Sequence, residues 1–230
     1  MTVIQFPPPA NDDTAPHQAP RHEPFLRLPP VTLALLAALV GIHLLLWAGA
    51  RWFDPRLMLA AVMQLAFIPA SLTDTINGAL PFSIIPFTSL LTAGFIHGSW
   101  LHLGVNVTML LAAGGGVERH IGKFWMVLLF LSGVMVGNLT YYVLSPQGME
   151  PLVGASGGIS ALFGACMLLL GGGSRKQVIS WLAIFIGISL VQSLMGAPDG
   201  SAIAGSAHIG GFVFGLGLTA WLRTRYLPQP

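Results

Sequence analysis

Four polar side chains interrupt segments of this sequence that are otherwise almost wholly apolar: His102, Asn106, Ser156 and His208. A polar group in a hydrocarbon environment is costly unless it is satisfied, so each of these residues needs a specific role. A serine hydroxyl becomes a nucleophile when a base accepts its proton, and a neutral imidazole is a suitable base. Ser156 and His208 could therefore perform nucleophilic catalysis together.

The other two polar residues suit the stabilisation of a negative charge. His102 and Asn106 are four residues apart and share one face of a helix. Their side-chain N–H groups, with the backbone N–H of Ser156, could bind a developing oxyanion, and each such donor is worth about 10²–10³-fold in rate. The later apolar segments contain no Asp or Glu, so we expect a Ser–His dyad and not a triad.

Glycines surround both candidate catalytic residues. Ser156 lies between Gly154 and Gly157, where small neighbours admit another helix or a substrate backbone. His208 is followed by Gly211 and Gly215, whose spacing is typical of close helix contacts in membranes. We interpret these four glycines as close-packing or substrate-contacting positions. If the helix with His208 packs on the helix with Ser156, the two side chains could reach hydrogen-bond distance.

The composition excludes several protein classes. Of the 230 residues, 54% are hydrophobic and only 8% are charged, whereas a soluble domain has about 25% charged residues. The mean hydropathy is +0.75. An ordinary cytosolic enzyme, a disordered chain and a nucleic-acid binder are therefore excluded. The single cysteine excludes an internal disulfide framework and a thiolate metal cluster, and we expect neither a cofactor nor a metal.

The apolar runs predict an all-α polytopic membrane protein, because a crossing needs about 20 apolar residues. We count six runs, at about Val31–Ala50, Leu101–Val117, Phe124–Leu144, Gly154–Gly173, Val178–Met195 and Ala202–Leu222. The membrane domain would occupy residues 29–225. We interpret residues 1–28 as a disordered cytoplasmic tail and residues 226–230 as a short cytoplasmic tail.

A long first loop, about residues 51–100, separates the first two predicted spans. It contains an apolar stretch, Leu57–Leu72, with Gln64 and Pro69 inside it. This stretch is short for a crossing and suits a segment lying at the membrane interface. The alternative is a seventh spanning helix.

The distribution of Lys and Arg predicts the orientation, because cytoplasmic segments carry an excess of both. With the N-terminus inside and six spans, the outer segments hold only Arg51 and Arg56. The inner segments hold Arg21, Arg27, Arg119, Lys123, Arg175, Lys176, Arg223 and Arg225. We therefore expect a multi-pass protein of the bacterial inner membrane with both termini in the cytoplasm. The four polar residues would then share one depth in the outer half of the bilayer.

These residues resemble the rhomboid family of intramembrane serine proteases. The resemblance covers about Thr88 to Trp221 and rests on His97–His102, Asn106, Glu118–Arg119 near Gly122, Gly154–Gly157, and Ala207-His208 with Gly211 and Gly215. It implies a six-helix bundle whose first loop is half-sunk in the membrane. It also implies Ser156 as nucleophile, His208 as general base, and His102 and Asn106 at the oxyanion.

The resemblance further implies the partners of the protein. These are the lipid bilayer and single-span membrane proteins with helix-destabilising residues near the outer face. The fifth span and a loop over the site would form the substrate gate. The sequence departs from the family pattern at Thr88-Ser89, where many members have Trp-Arg, at His120 in place of Arg, and at Ser160 in place of an aromatic.

Two alternative functions and two further histidines complete the sequence interpretation. A non-catalytic rhomboid-like membrane chaperone would not need both Ser156 and His208. A haem protein could use His102 and His208 as axial ligands, but would leave the serine unexplained. We expect His97 to hold the first loop by bonding a backbone carbonyl, and His43 to face a neighbouring helix or the interface.

Overall fold

The computed structural model describes residues 28–170, 174–196 and 204–225. Within these ranges the chain is helical, with one 3₁₀ turn at Ala93–Phe95 and no multi-residue strand. The α-helices are α1 (Pro30–Trp52), α2 (Leu57–Leu65), α3 (Pro69–Ile76), α4 (Ile85–Thr92), α5 (Trp100–Leu144), α6 (Ser156–Leu170), α7 (Arg175–Met195) and α8 (Gly205–Arg225). The predicted tail at residues 226–230, and all but the last residue of the predicted tail at 1–28, lie outside the described residues.

Four helices are long and apolar enough to cross a membrane: α1, α5, α7 and α8. The 45-residue α5 joins the second and third predicted spans and is broken at Gly122, where φ is 77° and ψ is 170°. Glycine adopts this positive φ without the steric cost that other residues incur. The apolar helices agree with an integral membrane protein, while the count of six crossings stays a prediction.

Helix α6 is described from Ser156 to Leu170, and the last three residues of the predicted fourth span, 171–173, lie outside the described residues. Most of its first ten residues are buried, which makes α6 the central helix of the bundle. Helices α5 and α8 pack against it.

The first loop folds into short helices and not into a seventh span. The predicted stretch Leu57–Leu72 divides between α2 and α3, which have 9 and 8 residues, and neither helix can cross about 30 Å. The bend between them is fixed by an antiparallel backbone pair, in which Phe67 and Leu152 exchange N–H···O bonds of 3.0 and 2.8 Å. The seventh-helix alternative was therefore wrong.

The first loop is attached through residues other than its Thr88-Ser89 pair. Among the described residues, the hydroxyls of Thr88 and Ser89 donate hydrogen bonds only to local carbonyls, those of residues 84–86 around the start of α4. The attachment comes from α5 and the segment after it. The Asn138 amide donates to the Leu90 carbonyl at 2.9 Å, and the Thr73 hydroxyl donates to the Pro146 carbonyl at 2.7 Å.

Helix α1 is joined to α5 by one buried carboxylate. Glu118 is only 3% exposed. It accepts hydrogen bonds from the backbone N–H groups of Val31 and Thr32, at 3.0 and 2.7 Å, and from the Thr32 hydroxyl at 2.8 Å. The first turn of a helix has unsatisfied N–H groups and a partial positive charge, so a carboxylate there is stabilising.

We expect Glu118→Gln to lower the free energy of unfolding by about 1–3 kcal/mol, because an amide offers one acceptor oxygen without charge to three donors. Thermal or denaturant unfolding in detergent micelles measures this change. Glu150→Gln is the matched control, since Glu150 is exposed. Equal stabilities of the two variants would contradict the assigned role of Glu118.

Candidate active site

A cavity of about 1090 Å³ lies between α5, α6, α7 and α8, and all four polar residues singled out in the sequence line it. His102 and Asn106 come from α5, Ser156 from α6 and His208 from α8. These side chains converge from three helices that are separate in the sequence. The cavity is the place where a Ser–His reaction could occur.

Ser156 is positioned by a tight turn at the start of α6. Gly154 adopts a φ of +113°, a conformation that is strained for residues with a Cβ. Its backbone N–H donates to the carbonyl of Ala93, at 2.9 Å, which ties the turn to the end of the first loop. Ser156 is then the first residue of α6, at the positive end of the helix dipole.

His208 reaches the same cavity because α8 lies directly against α6. Gly211 contacts the backbone carbonyl of Gly157, and Gly215 contacts that of Ala161. His208 is three residues before Gly211 and Ser156 is next to Gly157, so both side chains lie near the first of these contacts. Among the described residues no hydrogen bond joins Ser156 to His208. Catalytic hydrogen bonds are often long without substrate and tighten when it binds.

His102 and Asn106 are held in the cavity by contacts with the Gly154 turn and with each other. A Cβ placed on Gly154 would lie 2.6 Å from His102 Nε2, so the imidazole packs directly on the turn before the serine. The Asn106 amide donates one N–H to the His102 carbonyl at 2.9 Å. An amide has a second N–H, which can serve a ligand in the cavity. His102 and His208 are close enough to interact electrostatically.

Helix α7 contributes apolar side chains to the cavity wall. Trp181, Ile184 and Ile188 line the cavity, and Phe185 stacks on Phe212 of α8 with ring centroids 4.1 Å apart. In its described part α7 has a single buried residue, Ser189. This helix is therefore less enclosed by the bundle than α6 is.

Charged and metal-binding groups are sparse around the site. Among the described residues that line the cavity, the one carboxylate is that of Glu150, which is exposed. In residues 28–170, 174–196 and 204–225, no group of three or more His, Cys, Asp or Glu side chains could hold a metal ion. The described lining thus contains no buried acid next to His208.

His97 contributes to the site in a way that the sequence interpretation missed. Its ring is 1% exposed, and its Nε2 accepts from the backbone N–H of Ala155 at 3.5 Å. The expectation that it bonds a carbonyl was wrong, because here the imidazole is the acceptor. Burial, together with His102 and His43, lowers the pKa of His97 to about 3, so the ring is neutral. The one feature of the sequence that could have indicated a role of His97 in the site is its position five residues before His102.

Ser160, the departure from the family pattern after the serine, is buried and lines the cavity. It stands one turn after Ser156 on α6. In the part of the chain that the structure describes, His208 makes no ring–ring contact. The smaller side chain at residue 160 therefore leaves the imidazole without an aromatic neighbour there.

Comparisons with known proteins show which family the chain is similar to. Residues 86–225 match the family model described as Rhomboid domain. The chain is 32% identical to the rhomboid protease GluP of Bacillus subtilis over 126 residues, which is 55% of this chain and 24% of GluP. It is 30% identical to the putative rhomboid protease YdcA of the same organism over 150 residues, 60% of this chain and 75% of YdcA.

A fungal relative carries the serine protease name. The chain is 32% identical over 132 residues to the rhomboid-type serine protease 2 of Emericella nidulans, which is 54% of this chain and 24% of that protein. The matched stretch thus spans about a quarter of the length of GluP and of this fungal protein.

Proposed function

Because the chain belongs to the rhomboid family, we propose that it is an intramembrane serine endopeptidase. Ser156 would be the nucleophile and His208 the general base. The family includes relatives named as serine proteases. The observation that carries the proposal is the shared cavity, in which a serine at a helix N-terminus and a histidine on the adjoining helix occur together.

The proposed reaction proceeds in two halves. The Ser156 oxygen attacks the carbonyl carbon of the scissile peptide bond while His208 accepts the hydroxyl proton. The C–N bond of the tetrahedral intermediate then breaks, and His208 gives its proton to the leaving amine. Water, deprotonated by His208, hydrolyses the acyl ester and regenerates the serine. Both halves pass through an oxyanion, which needs donors.

The oxyanion donors would be His102, Asn106 and the backbone N–H of Ser156. The contact of His102 with the Gly154 turn supports this role, because it keeps the imidazole next to the serine. The Asn106 amide uses one N–H within α5, and its second can reach a ligand.

We expect Asn106→Leu to reduce the maximal cleavage rate by about 10²-fold while leaving the KM almost unchanged, since an oxyanion donor acts mainly in the transition state. Steady-state kinetics with a fluorogenic membrane substrate separates the two constants. Thr108→Val is the control on the same helix, because its exposed hydroxyl bonds only the Gly104 carbonyl. An effect on KM alone would contradict an oxyanion role.

The proposed substrates are single-span membrane proteins cut near the outer face. A cavity lined mainly by apolar side chains between membrane helices supports a site sunk below the membrane surface. A substrate helix must unwind before its peptide bonds become accessible, which favours helix-destabilising sequences. With both termini cytoplasmic in the inner membrane, the cavity would receive water from the outer side.

Helix α7 is the proposed gate through which substrate enters. Its limited burial supports this role, as does its stacking contact between Phe185 and Phe212 at the cavity wall. A helix held by few interior contacts moves at a lower free-energy cost than a central one.

Reaction with a fluorophosphonate probe tests the proposal against its alternatives. We expect the purified protein in detergent to be labelled at Ser156, and prior labelling to block cleavage of a model membrane span. A folded protein that is not labelled would favour the non-catalytic chaperone. A reduced-minus-oxidised absorption spectrum with haem bands would favour a haem protein.

A further inference from the structure

We propose that His43 and His97 are positioning residues that hold the backbone before Ser156 in its reactive place. The inference rests on the proposed function, because it assigns the two histidines to the support of the nucleophile. His43 belongs to α1 and His97 to the turn before α5. The two residues would connect a helix outside the catalytic set to the start of α6.

Both imidazoles are enclosed to a degree that is unusual for histidine. His43 is 2% exposed and His97 is 1% exposed, and the Nδ1 atom of each is buried without a hydrogen-bond partner among the described residues. Burying an unpaired polar atom costs free energy, and an apolar residue of similar volume would avoid that cost. The two rings must therefore supply something that an apolar side chain cannot.

For His97 that contribution is the bond to the Ala155 N–H. A ring nitrogen accepts a hydrogen bond only when it carries no proton, so the His97 proton must lie on Nδ1. The Nε2 atom is then a fixed acceptor for the peptide N–H that directly precedes the nucleophile. The contact orients the peptide bond between Gly154 and Ala155 and so fixes the position of Ala155, the residue to which the nucleophile is attached.

For His43 the contribution is support of the turn that carries His97. Its ring meets the edge of Trp100 with centroids 4.5 Å apart and the ring of His97 with centroids 6.4 Å apart. His43 therefore contacts both sides of the turn and limits the movement of His97 relative to α1.

The rate of Ser156 labelling by a fluorophosphonate tests the proposal. We expect His97→Leu to lower the maximal labelling rate by about 10-fold or more, with little change in the probe concentration for half-maximal rate, because misplaced reacting groups lower the rate constant. We expect His97→Gln to restore the rate to within about threefold, since its amide oxygen can accept near the place of Nε2.

The role of His43 is tested by His43→Phe, which replaces the imidazole with an aromatic ring that has no nitrogen atoms. We expect the labelling rate to fall by about three- to tenfold, and the same substitution to have little further effect in a His97→Leu background. His120→Leu is the matched control, because His120 is exposed and bonds only the Gly116 carbonyl. Circular dichroism and thermal unfolding verify that each variant folds.

Failure of this inference differs from failure of the proposed function. Wild-type protein that is folded but not labelled would refute the proposed function. Wild-type labelling with wild-type rates in folded His97→Leu and His43→Phe would overturn the positioning roles alone. If His97→Leu does not fold, the labelling rates of His97→Gln and His43→Phe are compared instead. A labelling rate of His97→Gln that is no higher than that of His43→Phe would contradict the acceptor role of His97.

Discussion

Ser156→Ala and His208→Ala are each expected to reduce cleavage of a model membrane span by about 10⁴-fold or more, because the members of a nucleophile–base unit act together. Removing the hydroxyl removes the attacking atom, and removing the imidazole removes the acceptor of its proton. Incubation of purified enzyme with substrate in proteoliposomes, followed by mass spectrometry of the products, measures the loss. The double variant should be no slower than either single variant.

The controls for these two substitutions lie away from the cavity. Ser180→Ala removes an exposed hydroxyl from α7, and His120→Ala removes an exposed imidazole near the end of the first half of α5. Both should cleave at the wild-type rate. Cleavage that persists in folded Ser156→Ala or His208→Ala would refute the assignment of the dyad.

Gly211→Ala is expected to reduce activity by about 10²-fold or more, because it moves the helices that carry the two reacting groups. A Cβ at residue 211 would overlap the backbone carbonyl of Gly157 and lie 3.0 Å from its carbonyl carbon. A backbone atom cannot rotate away as a side chain can, so α8 must shift from α6. Labelling of Ser156 and cleavage of the model span should fall together.

Gly217→Ala is the matched control on α8, since a Cβ there meets nothing within 4 Å. Alanine favours the helix over glycine by about 1 kcal/mol in soluble proteins, so this variant should be at least as stable as the wild type. Unfolding in detergent compares the two variants. Equal activity of Gly211→Ala and Gly217→Ala would show that the approach of α8 to α6 does not set the site geometry.

Much of the fold could be predicted because a membrane-spanning helix requires a long, continuous run of apolar residues. The predicted runs agree with the described helices in α1, both halves of α5, α7 and α8. Of the predicted run Gly154–Gly173, residues 156–170 form α6, Gly154 belongs to the turn before it, and residues 171–173 lie outside the described part of the chain. The division of the first loop into α2, α3 and α4 was not predicted, since it depends on partners distant in sequence, such as Leu152 and Asn138.

The residues of the candidate site were likewise predictable only in part. Ser156, His208, His102 and Asn106 were identifiable because each is a polar residue in an apolar setting, where residue type alone is informative. His97 and His43 were assigned minor roles, because a histidine near a membrane surface has many possible partners. Which partner it takes depends on the packing of α1 against the turn before α5, and periodicity carries no information about that contact.

The amino-acid sequence by itself determined the chemical groups, the apolar helices and the family resemblance, because these depend on residue types and short spacings. The tertiary structure decided which groups meet in one cavity, how the first loop is attached, and which atom His97 accepts from. These features depend on contacts between helices, and a helix presents several faces of similar hydrophobicity. Close approaches of glycine backbone, such as Gly211 on Gly157 and Gly215 on Ala161, set how α8 packs on α6 and place His208 and Ser156 in one cavity.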